Sequence, residues 1–128
     1  MKVGFVGLGL MGQGMARNIV SQGFALMVTT RTAGKAEAFA ADTGCRHGSP
    51  AQVAAFADLV VVCVTDSPDV LAVAEPLIAH AREGTVIVDC STISPQVTRQ
   101  VHERAAKKNI FWLDAPISGG TKGERYVT

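Results

Sequence analysis

Gly7-Leu8-Gly9-Leu10-Met11-Gly12 stands directly between a short apolar run, Lys2–Gly7 (KVGFVG), and Met11–Gln22, whose Met15, Ile19 and Val20 fall at helical spacing. No other feature constrains the chain as much as this G-x-G-x-x-G element between a strand and a helix. Gly7 permits a tight turn out of the strand, Gly9 lets an anion approach the backbone, and Gly12 lets the helix pack close against a sheet. The N–H groups of Leu10 and Met11, unsatisfied at a helix start, then face the anion together with the positive end of the helix dipole. Such a unit opens a doubly wound α/β fold and predicts a diphosphate cradle.

The rest of the chain repeats the alternation. Gly23 closes the first helix, Phe24–Thr30 reads as a second strand, and Lys35–Asp42 as a helix ended by Gly44. Cys45–His47 is a short third strand, and Ser49-Pro50 caps a helix toward Phe56. The apolar run within Asp58–Val64 suits a strand buried on both faces. Ser67-Pro68 repeats the capping signal, and Pro76 is expected to break or kink that helix before Leu77–Arg82. Thr85–Asp89 is a fifth strand. Ser94-Pro95 opens a helix running to about Lys108, and Ile110–Leu113 is the sixth strand. Six strands separated by helices predict a mostly parallel, doubly wound six-stranded sheet of the Rossmann type, in the order 3-2-1-4-5-6.

Composition narrows the function. With 128 residues and 48% apolar residues the chain can fill one real core, and residues 1–128 read as one domain. Twelve Lys and Arg against eleven Asp and Glu leave a formal +1, so no basic field favours nucleic acid. No apolar run is long enough to span a membrane, and the chain's opening residues lack the pattern of a secretory signal, so none is expected. Cys45, Cys63 and Cys90 lack C-x-x-C spacing and read as reduced thiols, so a cytoplasmic protein is expected. His47, His80 and His102 are scattered, and no metal site is expected. Neither a nucleophile elbow nor a P-loop is present.

The end of the second strand discriminates between cofactors. NAD-selective sites place Asp or Glu there, about 20 residues past the glycines, to accept the ribose 2′-hydroxyl. Here the stretch reads Val28-Thr29-Thr30-Arg31-Thr32-Ala33-Gly34-Lys35, with no acid before Glu37. The Arg31 fork suits a 2′-phosphate, Thr32 adds a hydroxyl, and Lys35 adds a second positive charge. NADP is the expected cofactor, with NAD as the alternative.

Phe5 through Ile19 (FVGLGLMGQGMARNI) resembles the signature that opens the β-hydroxyacid dehydrogenases, a family that includes 3-hydroxyisobutyrate dehydrogenase, tartronate semialdehyde reductase and glyoxylate reductases. Val88–Pro95 (VDCSTISP) resembles the family's D-x-S-T-x-x-P segment, and Asp114–Gly123 (DAPISGGTKG) its D-A-P-V-S-G-G-x-x-G segment. The resemblance spans about residues 1–123. It implies that Gly7–Gly12 hold the diphosphate and that Val64-Thr65-Asp66 occupy the place of the family's L-P-D segment, with Thr65 replacing the usual proline. It also implies that Thr92 lies near the nicotinamide and that Ser118, Gly119 and Gly120 hold a substrate carboxylate. A hydroxyl and exposed backbone N–H groups in that loop form a small anion-binding concavity.

The family's general acid/base lysine lies well beyond the S-G-G loop, and Glu124–Thr128 contains nothing like it. The family's helical second domain is likewise expected to be absent from these 128 residues. Lys122 belongs to the loop motif and is not assigned that role. The resemblance therefore implies an NADP-binding domain of an oxidoreductase acting on a small 3-hydroxy acid or semialdehyde, with little turnover by this chain alone. A non-catalytic nucleotide-binding or assembly module is the rival reading, and an imine substrate a third. An apolar edge or face left open predicts a homo-oligomer.

Overall fold

In the computed structural model, which describes residues 1–116, strands and helices alternate from end to end. They are β1 (Lys2–Val6), α1 (Leu10–Ser21), β2 (Ala25–Thr29), α2 (Ala33–Thr43), β3 (Arg46–His47), α3 (Pro50–Phe56) and β4 (Leu59–Val62), followed by α4 (Ser67–His80), β5 (Val86–Asp89), α5 (Pro95–Ala106) and β6 (Phe111–Asp114). The strands form one six-stranded sheet in the order β3-β2-β1-β4-β5-β6, with every neighbouring pair parallel. Strand order therefore reverses between β1 and β4. In open α/β sheets the crevice outside the carboxyl ends at such a reversal is where ligands bind.

Strand periodicity divides the core into two layers. Val6, Val60, Val62, Ile87 and Trp112 face α3, α4 and α5, which contribute Val53, Val70, Leu77 and Val101. Val3, Phe5, Leu26, Val28 and Val61 face the other way, against Ala16 of α1 and Ala36 and Phe39 of α2. The helices of that second layer come from the β1–β2–β3 half of the sheet. On its other half Phe111 and Leu113 of edge strand β6 stand 58% and 51% exposed, while Trp112 between them is buried.

Local chemistry sets the helix ends. Ser49 and Gln52 form a reciprocal capping box at α3, with Pro50 in the first turn. The Ser94 hydroxyl accepts the Val97 N–H at the start of α5. Gly23 (φ 88°) and Gly44 (φ 80°) take the left-handed conformation that ends α1 and α2.

Three expectations are corrected. Pro76 does not interrupt α4, which is one helix from Ser67 to His80. An interior proline costs about 3 kcal/mol, but Val70, Ala74, Leu77 and Ile78 are buried along the same face. Each large apolar side chain so buried stabilises by roughly 1.5–3 kcal/mol, which outweighs the defect. Second, Asp66 rather than Ser67 caps α4, its carboxylate accepting the Asp69 N–H at 3.2 Å, while the Ser67 hydroxyl accepts the Ser94 N–H. Third, α5 ends at Ala106, because Asn109 turns left-handed (φ 59°) and the Ile110 N–H returns to the Ala105 carbonyl.

Candidate functional site

The turn from β1 into α1 is shaped by backbone crowding. Gly7 adopts φ 101° and donates its N–H to the Thr29 carbonyl at 2.9 Å, tying β1 to β2. A Cβ there would overlap the Cys63 carbonyl oxygen. A Cβ on Gly12 would lie 2.5 Å from the Gly7 carbonyl oxygen, so α1 sits as close to the sheet as a glycine allows. Gly9 is different. It is the N-cap of α1, offers no side chain to cap the helix, and among the described residues a Cβ on it would meet nothing within 4 Å. The first-turn amides of Leu10 and Met11 are thus left for an acceptor from outside the helix, beside open space.

That space is a cleft of about 660 Å³ at the carboxyl edge of the sheet, beyond the ends of the paired strands β1 and β4, where strand order reverses. Its floor is Val6 and the Gly7–Gly12 turn. Thr30, Arg31 and Thr32 after β2, Lys35 of α2, and Cys63, Val64 and Thr65 after β4 line it. Asp69, Ala72 and Val73 of α4 close it. Arg31 Nη1 lies 2.9 Å from Asp69 Oδ1, with the Arg31 side chain 83% exposed and Asp69 only 20%.

A short hydrogen-bond relay fixes the β4 and β5 ends. Buried Asp89 accepts the Ser91 N–H through Oδ1 at 2.9 Å, and the Ser91 hydroxyl accepts the Val64 N–H at 2.9 Å. Asp89 Oδ2 is buried without a partner among the described residues. Burial pushes the Asp89 carboxyl above the usual carboxylate range, against the two Ser91 hydrogen bonds that lower it, and the nearby Asp114 charge adds to the rise. Burial likewise pushes the Cys90 thiol up to about 11, with Cys63, Asp89 and Asp114 adding to the rise. A thiol so held is a poor nucleophile at neutral pH.

The sequence-predicted residues separate into three groups. Gly7, Leu8, Gly9, Leu10, Met11, Gly12, Arg31, Thr32, Lys35, Val64 and Thr65 converge on the cleft. Asp66 is exposed and engaged as the α4 cap, and Thr92 is exposed in the turn after β5; neither lines the cleft. Ser118, Gly119 and Gly120 lie outside the described residues. Asp69 was missed by sequence reading, although the Ser67-Pro68-Asp69 helix start after a buried strand was a signal for a residue at this edge. Among the described residues no cluster of His, Cys, Asp or Glu could hold a metal, and no helix is long and apolar enough to cross a membrane.

The features present fit a dinucleotide: an open cradle at Gly9, an uncapped helix start, and two cations, Arg31 and Lys35, lining the same cleft. Residues 2–128 match the family of the NAD-binding domain of 6-phosphogluconate dehydrogenase. The NAD-dependent L-serine dehydrogenase of Pseudomonas aeruginosa is 33% identical over 125 residues, covering 95% of this chain and 42% of that protein. The structure of 3-hydroxyisobutyrate dehydrogenase from Mycobacterium tuberculosis with L-serine superposes with a TM-score of 0.87 at 34% identity, over 94% of this chain and 42% of that one. Psf3 in complex with NADP+ and 2-OPP superposes with a TM-score of 0.82 at 28% identity, over 94% and 44%. The chain spans less than half the length of the curated relatives it matches. It belongs to the family of the NAD-binding domain of 6-phosphogluconate dehydrogenase, among the β-hydroxyacid dehydrogenases that resemble 3-hydroxyisobutyrate dehydrogenase.

Proposed function

We propose that this chain is an NADP-preferring dinucleotide-binding domain serving reversible hydride transfer to and from a small 3-hydroxy acid or its semialdehyde. One observation carries the reading: the glycine cradle lines the same cleft as Arg31, Thr32 and Lys35, with no acid at the end of β2. The nicotinamide, when bound, supplies the hydride. The chain's own residues bind and orient: Leu10 and Met11 amides receive the diphosphate, Arg31 and Lys35 the 2′-phosphate, and Val64 and Thr65 flank the nucleotide. The relay from Asp89 through Ser91 holds the Val64 backbone in place.

Relatives with both nicotinamide cofactors support the cleft as a dinucleotide site, since one is named NAD-dependent and another was solved with NADP+. Ser118, Gly119 and Gly120 are proposed on sequence grounds to hold the substrate carboxylate. Thr92 and Asp66, which do not line the cleft, are proposed near the nucleotide on the family resemblance alone. The same reading places the protein in the cytoplasm, where Cys45, Cys63 and Cys90 remain thiols. General acid/base help is worth about 10²–10⁴ in rate. These 128 residues supply no lysine in the family's catalytic context, so the chain assayed alone should bind nucleotide and turn over little.

Isothermal titration with NADPH and NADH tests the reading. Charge-assisted hydrogen bonds contribute about 1.5–3 kcal/mol each, so Arg31→Ala should weaken NADPH about 10- to 100-fold and NADH less than about threefold. Equal losses for the two nucleotides would refute the assignment of Arg31.

A further inference from the structure

The acid missing from the end of β2 reappears across the cleft. Asp69, at the third position of α4, reaches Arg31 from 38 positions along the chain. Its carboxylate is well anchored: its own N–H is held by the Asp66 cap, its side chain is only 20% exposed, and negative charge is favoured at a helix N-terminus. Arg31, at 83% exposed, is the more solvent-exposed member of the pair. Both line the same cleft as Thr32 and Lys35.

We infer that Asp69 is a specificity-determining residue, an acid supplied from α4 that opposes Arg31 and restrains the preference for the 2′-phosphorylated nucleotide. The inference rests on the dinucleotide reading of the cleft. A 2′-phosphate must draw the Arg31 guanidinium off the Asp69 carboxylate that already holds it at 2.9 Å. A ribose 2′-hydroxyl carries no charge to repel and meets Asp69 as a hydrogen-bond acceptor, the part an acid at the end of β2 plays in NAD-selective sites. The domain so built accepts both nucleotides. Its margin for NADPH is narrower than Arg31 and Lys35 alone would give.

The test is isothermal titration of this chain with NADPH and NADH at low salt, where charge effects are least screened. Asp69→Asn keeps the side-chain shape and removes the charge. It should tighten NADPH about 3- to 10-fold and leave NADH the same or weaker. In an Arg31→Ala background the same substitution should move NADPH less than about twofold, because Asp69 acts through Arg31. An unchanged or weakened NADPH affinity, an equal gain for NADH, or a gain that persists undiminished without Arg31 overturns the inference. Failure of the parent chain to bind either nucleotide at millimolar concentration overturns the dinucleotide reading itself, and this inference with it. Circular-dichroism melting checks that the variants are folded, since an exposed ion pair contributes only about 0–1 kcal/mol.

Discussion

The three glycines of the β1–α1 turn separate ligand binding from folding, and single alanine substitutions should reveal it. Gly9 has φ −67° and ψ 179°, which alanine adopts without strain, and its added methyl would meet nothing within 4 Å among the described residues. Losing a glycine N-cap costs a little, and restricting the unfolded chain returns about 0.4–1 kcal/mol, so Gly9→Ala should alter stability by less than about 1 kcal/mol. For a chain of this size that is under about 5 °C in melting temperature. The methyl nevertheless points into the space proposed for the diphosphate. Displacing two charge-assisted N–H bonds of about 1.5–3 kcal/mol each weakens nucleotide binding by about 10²–10⁴. Gly7→Ala does the reverse. It combines a left-handed φ of 101° with overlap against the Cys63 carbonyl. Strain of about 1–3 kcal/mol plus overpacking of about 1–3 kcal/mol should lower the melting temperature by around 10 °C. Gly12→Ala falls between, its Cβ being 2.5 Å from the Gly7 carbonyl oxygen with a normal backbone. Thermal melts followed by circular dichroism, paired with NADPH titration, read both axes. If Gly9→Ala is folded and binds NADPH as tightly as the parent, the diphosphate does not sit at this turn.

Two further outcomes follow from the described geometry. Asp89 titrates above its ordinary 3.8 in the folded chain, so the folded state holds that proton more tightly than the unfolded one. Its charge therefore costs stability progressively as the pH rises past 3.8 toward the folded value. Asp89→Asn, which retains the Oδ1 acceptor for Ser91, should match the parent at low pH and gain on it as the pH is raised. A difference that stays constant or shrinks across a pH 3–8 melting series rules that out. The exposed Phe111 and Leu113 pair in register with half-buried Val86 and Val88, making an apolar strip across β5 and β6. Self-association through it should appear by sedimentation equilibrium and be lost in a Phe111→Glu, Leu113→Glu double variant. A monomeric parent at high concentration would count against it.

Local devices of the backbone were legible in the sequence because each is written in consecutive residues. The glycine turn, the Ser49-Pro50 and Ser94-Pro95 helix starts, and the apolar runs of β1 and β4 depend on neighbours within a few positions. Their sum determines the strand order, since right-handed crossovers leave few ways to arrange six parallel strands. Pro76 was misleading because its local cost is opposed by burial of Val70, Ala74, Leu77 and Ile78, which is a tertiary quantity. Asp66 took the cap from Ser67 for a related reason: the Ser67 hydroxyl is held by the Ser94 backbone, 27 residues away. The site shows the same division more sharply. Its cradle lies within six consecutive residues, whereas its charge balance does not. Arg31 alone, read at the end of β2, argues for a phosphate, but the fold sets it beside Asp69 at 2.9 Å, a partner 38 positions away. On the inference above, cofactor preference is set jointly by Arg31 and Asp69, which the fold brings to 2.9 Å from opposite halves of the sheet, and residues at the end of β2 alone do not carry it. Relatives that keep the arginine but lack an acid at the third position of this helix should discriminate more strongly against NADH.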